Sequence, residues 1–120
     1  MPEYTKRIKR LMIDYMTEAY ERELHRELLI LDQSFTEWKE GKIGSGELSL
    51  RIHQYDRGPS RDLFERYNCS PKDLNVAYAI VTGILNADEV PAELLEILSG
   101  SIAFFQSMKE RDELKMPGER

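Results

Sequence analysis

Between Pro2 and Gly41 the chain contains neither glycine nor proline. Leu, Met, Glu, Lys and Arg dominate this stretch, and all are strong helix formers. The spacing therefore predicts one helix over residues 4–40, about 36 residues, closed by Gly41 in a left-handed C-terminal cap. At 1.5 Å per residue such a helix is roughly 54 Å long, whereas a compact chain of this length is only roughly 35 Å across. The helix must bend or overhang its domain.

Its apolar residues do not stay on one side. Advancing about 100° per residue, Ile8, Leu11, Met12, Tyr15 and Ala19 fall within roughly 60° of one direction. Leu24, Leu28, Leu31, Phe35 and Trp38 repeat at 4-3-4-3 spacing, but about a direction roughly 160° further round. Arg22 and Arg26 occupy the continuation of the first stripe, and residues 28–31 are apolar all round. A break at the change of face is disfavoured, because residues 21–28 are strong helix formers and the nearest start signal, Ser34 with Glu37, lies inside the second seam. A continuous helix then packs its C-terminal half on the rest of the domain and leaves its N-terminal half in need of a partner. The expected partner is a second copy, since two-fold dimers are the commonest oligomers. Ile8, Leu11, Met12, Tyr15, Met16 and Ala19 are the candidate interface. The competing arrangement folds a later helix of the same chain over that stripe.

Helical spacing continues beyond Gly44, and alternating strand-type runs are absent. Ser45 is placed to cap a short helix carrying Leu48, Ile52 and Tyr55, and Gly58 and Pro59 punctuate the chain before Pro59 or Ser60 opens another with Leu63, Phe64 and Tyr67 inward. Ser70, Pro71 and Asp73 mark a strong start for a helix that runs to about Leu85, apolar in most directions, with Gly83 expected at a close helix crossing. Pro91 opens the last helix, whose face is Leu94, Leu98, Phe105 and Met108. The expected fold is an all-α bundle of about five helices in one domain, residues 1–120, with a tail frayed from about residue 112.

Composition narrows the function. The 120 residues are 41% hydrophobic and 32% charged, with a net charge of -5, which suits a globular chain and disfavours a general nucleic-acid binder. The basic cluster Lys6, Arg7, Lys9 and Arg10 would at most be a flanking arm for nucleic acid. Residues 74–87 carry no charge but fall short of the roughly 20 apolar residues that span a bilayer, so no membrane partner is expected. The single Cys69 supports neither an internal disulfide nor a multi-cysteine zinc site, and the opening lacks a secretory h-region, so cytoplasm is the expected compartment.

No motif for nucleophilic catalysis, a metal or a cofactor appears, and catalytic, metal and cofactor sites are all expected to be absent. His25, four residues after Glu21, reads as a surface histidine. The segment HQYDRGPSR gathers His53, Arg57, Ser60 and Arg61 at an expected helix start, where free backbone N–H groups and guanidinium groups would favour an anion. The leading expectation is a non-catalytic helical interaction or regulatory protein that self-associates through the first half of its long helix and has room for another protein partner. The alternative is an anion- or phosphate-binding module, or a small enzyme, centred on those four residues.

Overall fold

The computed structural model describes residues 4–119, and every regular element among them is helical. The first helix, α1 (Lys6–Lys39), is continuous through the change of face. The Thr5 hydroxyl caps its start by accepting from the Ile8 N–H at 3.2 Å. At its end the Lys42 N–H donates to the Glu37 carbonyl (2.8 Å) and the Gly41 N–H to that of Trp38 (3.1 Å), with Gly41 at φ +76°. That pair of bonds is a Schellman motif, which needs the left-handed backbone that glycine adopts without strain. The molecule measures 53 × 33 × 25 Å, so α1 runs its whole length. Its radius of gyration of 17.1 Å exceeds the roughly 14 Å of a compact chain this long, because one end of α1 overhangs.

The overhanging half of α1 is covered by α2 (Ser45–Tyr55), which folds back along it as a hairpin. Gly44 stands at the N-cap of α2, while the expected cap, Ser45, uses its hydroxyl to accept from Trp38 Nε1 at 3.0 Å. The chain does not turn at Gly58 and Pro59. It passes through a π-helical turn (Asp56–Ser60) directly into α3 (Arg61–Cys69), and Tyr55, Asp56, Ser60 and Arg61 all keep right-handed helical angles. Pro59 has no N–H to give and its ring crowds the carbonyl one turn back; a single wide turn accommodates both effects without ending the helix. Joined in this way, α2 and α3 make one rod, and the described residues form five.

The helix α4 (Lys72–Thr82) is the central one, packed between α1 and α6 (Ser99–Glu110). It starts at Pro71 with no side-chain cap from Ser70, and it stops at Gly83, φ +85°. A side chain at Gly83 would meet nothing within 4 Å, so this glycine is a helix stop and not the expected crossing. A 3-10 turn (Ala87–Glu89) leads to α5 (Ala92–Ile97), and the helix expected from Pro91 onward is broken at Leu98, ahead of Gly100. Gly100 weakens the helix there, and the bend at Leu98 lets that side chain point fully into the core.

This segment supplies the cover that the N-terminal stripe of α1 needs. Ile8, Met12 and Ala19 are 3%, 2% and 0% exposed, in one core with Val76, Ala79, Leu85, Val90, Leu94 and Leu98. Leu11, Tyr15 and Met16 are half-buried against the same core. Polar contacts seal the edge. Tyr15 Oη donates to the Glu89 carbonyl (3.0 Å), and Arg22 donates to the Ile84 carbonyl (2.9 Å) and pairs with the Glu89 carboxylate (2.8 Å). The arginine beside it holds the Glu89 carboxyl below the usual carboxylate range. The expected interface stripe therefore lies in the interior of its own chain. Of the residues that cover it, Leu85, expected at the end of the helix from Pro71, lies instead in the turn beyond Gly83, and Val90 sits in the same connection, where helical spacing gives no warning that it points inward.

Candidate functional site

Where the α1 stripe runs on past Ala19, the next inward position is Glu23, 6% exposed. Its carboxylate accepts from Tyr67 Oη at 2.5 Å and from Arg66 Nη2, both carried by α3. The Arg66 guanidinium lies 4.9 Å from the ring centres of both Tyr67 and Tyr78, and Tyr20 stacks on Tyr67 at 4.8 Å. Asn75, also buried, donates to the Arg66 carbonyl at 3.4 Å. A charge buried in a core is normally paired, and here one carboxylate, one guanidinium and stacked aromatic rings satisfy one another. The sequence marks Arg22 and Arg26 as the break in the stripe but not Glu23, because its partners are 43 and 44 residues away.

Beside this cluster is a cavity of about 560 Å³ between α1, α3, α4 and α6 on one side and residues 113–119 on the other. Arg66, Leu63, Leu74, Tyr78, Phe105 and Met108 form much of its wall. Its volume falls in the ordinary range for small-ligand sites. No histidine or cysteine lines it, and Glu23 is already committed to Arg66 and Tyr67. The arrangement holds a guanidinium rigidly at the wall of a largely apolar space.

The tyrosines of this region report their burial. Burial, then the nearby Glu23 carboxylate, pushes the Tyr67 phenol well above its ordinary range; burial raises Tyr78 as well, and Tyr4, bonded to Asp73 at 2.9 Å, moves the same way. Above pH about 10 the unfolded chain gives up a Tyr67 proton that the folded chain keeps, so the folded state loses ground as pH rises. From neutral pH the Tyr67 contribution to unfolding free energy is expected to hold steady up to that point and then to fall by about 1.4 kcal/mol per pH unit. Urea titrations at several alkaline pH values check this, and Tyr67→Phe should flatten the slope.

The anion site expected at His53, Arg57, Ser60 and Arg61 lacks its main element. Continuity through the π-helical turn removes the helix start, and with it the free N–H groups that were to face the ion. His53, Arg57 and Arg61 are exposed, Ser60 is half-buried, and no side-chain bond ties the four together. His25 and Cys69 are exposed, and among the described residues no three His, Cys, Asp or Glu side chains converge as metal ligands. Among the described residues, too, no helix is long and apolar enough to cross a membrane.

The remaining unusual surface is the overhanging arm. Leu28, Leu29 and Ile30 are 46%, 56% and 60% exposed, and Trp38, Leu50 and Ile52 are also exposed. Within the hairpin, Leu48 is the one apolar residue of α2 that is buried, and on α1 beyond Glu23 only the polar Ser34 is. Arg51 of α2 ties the two helices together through Ser34 Oγ (3.1 Å) and Glu37 (3.6 Å) of α1, and it also pairs with Glu47 on its own helix (3.5 Å). The arm buries Leu48 and half-buries Leu31 and Phe35, is held together by these polar contacts as well, and leaves its other large apolar side chains exposed. Comparison with known protein families, curated proteins and solved structures found no match to any of them.

Proposed function

We propose that this chain is a non-catalytic, cytoplasmic helical interaction protein that self-associates through the arm formed by the second half of α1 with α2. The observation that carries the proposal is the exposure of Leu28, Leu29 and Ile30, three consecutive residues. Successive helical residues step by about 100°, so these three sweep roughly 200° of the α1 surface. One neighbouring helix, α2, covers one side only. A helix apolar over more than half its circumference is stable when it is packed on more than one side. A second copy supplies the same apolar arm and, about a two-fold axis, each arm covers the other.

The test is the solution mass of the wild type against Leu29→Glu and Ile30→Glu at micromolar concentration. Both positions are more than half exposed, so each variant should keep its fold and lose less than about 0.5 kcal/mol beyond the stability that dimerisation itself contributes. The wild type is expected to be a dimer and both variants monomers. A monomeric wild type would remove the proposal.

A further inference from the structure

The last nine described residues lie against the bundle without being part of its core. Residues 111–119 include no buried side chain, and Leu114, Met116 and Pro117 are half-buried. Two side chains of the bundle hold the tail by its backbone carbonyls. Tyr78 Oη donates to the Lys115 carbonyl at 2.6 Å and Arg26 Nη2 to the Pro117 carbonyl at 3.0 Å. Gly118, φ +87°, permits the close approach of Arg26, since any side chain there would run into the guanidinium. The segment departs from α6 at Asp112, the one non-glycine residue with positive φ (58°) among the described residues. A cavity of about 560 Å³ remains between the tail and the helices where they are not in direct contact, so Leu114 and Met116, which line it, do not fill the groove that they enter.

We propose that this groove is a peptide-binding site that the chain's own tail occupies in cis, as a competitor of its true occupant. That occupant is a short linear segment of another protein: two apolar side chains two residues apart, like Leu114 and Met116, on a backbone whose carbonyls face Tyr78 and Arg26. Recognition through main-chain carbonyls tolerates variation in sequence, and the apolar pair supplies the selectivity. Flexible methionines in the wall and in the tail suit a surface that repacks around different side chains. The unfilled volume leaves room for side chains larger than the tail provides. A competitor tethered by a short linker acts at an effective concentration of about 1 mM, so an intrinsic Kd of about 100 µM would weaken a free peptide roughly tenfold.

The experiment uses the full chain in two forms, wild type and the double variant Leu114→Asp, Met116→Asp, whose tail no longer suits the groove. The probe is a labelled peptide with the sequence of residues 111–120, followed by fluorescence anisotropy. Saturable binding to the variant, at least tenfold weaker binding to the wild type, and none by a peptide carrying the same two aspartates are expected. Equal binding to both forms, or none to a variant of undiminished helical content, would overturn the proposal. Loss of helical content in the variant would overturn it too, because a competitor must be dispensable to the fold. Hydrogen exchange on the wild type is an independent measure: the Glu113 and Met116 amides should exchange through an opening that leaves α4 protected, and equal protection of tail and α4 is the contrary result. Neither Leu29 nor Ile30 lines the groove, so failure here leaves the self-association of the arm untouched, and the reverse.

Discussion

Glu23→Ala is expected to lower the unfolding free energy by about 3 to 4 kcal/mol, a loss large enough to halve the stability of a marginal domain. Two groups are stranded by the change. The Tyr67 hydroxyl, in a residue that is almost wholly buried, loses its acceptor, which costs about 1–3 kcal/mol for an unsatisfied buried donor. Arg66 loses its counter-ion; its side chain is 31% exposed and lies against two aromatic rings, so water and the rings offset part of that loss and place the total toward the low end for a broken buried pair. Glu23→Gln still offers Tyr67 an acceptor and should lose about half as much. Replacing the whole cluster, Glu23→Leu with Arg66→Met and Tyr67→Phe, should recover most of the deficit, because removing all the partners of a buried polar cluster together is often close to neutral. Urea unfolding at pH 7 with an unchanged m-value measures each figure. A loss below about 1 kcal/mol for Glu23→Ala would mean that the cluster is solvated in solution.

How much of this molecule is legible in its sequence depends on whether the signal is local. The continuous α1 and its stop at Gly41 follow from an uninterrupted run of helix formers and a glycine whose left-handed angle closes the last turn. The apolar character of α4 reads directly as a central helix, with Val76, Ala77, Ala79 and Val81 buried. Pro59 misleads, because proline normally ends a helix, and only the wide turn around it reveals that the rod continues. The destination of each face of α1 is not legible at all. Both faces are apolar, and which one is covered depends on Leu85, Val90 and Leu94 arriving from residues 66 or more positions beyond Ala19. Glu23 shares that difficulty. On a helix as charged as α1, a single glutamate at an inward position looks like any other until α3 brings Arg66 and Tyr67 to it. The tail is the opposite case: its charge and its Pro-Gly pair suggest fraying, while the bonds that hold it use its backbone carbonyls, which composition does not reveal.

Met12→Glu separates the two faces of α1 most sharply. Were Met12 at the seam of a dimer, the change would cost the contact and leave a folded monomer. In this fold Met12 is 2% exposed, in the hydrophobic core with Ile8, Leu94, Leu98 and their neighbours. The glutamate would forfeit the roughly 2–3 kcal/mol of a buried methionine and also place a carboxylate where it must either stay charged in an apolar surround or take up a proton. The combined loss is expected to exceed about 4 kcal/mol, against a total of about 5–15 kcal/mol for a domain of this kind. Far-ultraviolet circular dichroism should therefore show a lowered melting temperature and reduced helical content at neutral pH, with partial recovery as pH falls and the new carboxyl is neutralised. Leu29→Glu, the same chemical change in spirit but on the outer arm, should melt close to the wild type and differ in mass instead. If Met12→Glu were to melt like the wild type, the stripe would not be in the core, and the assignment of shelter to the two halves of α1 would have to be exchanged.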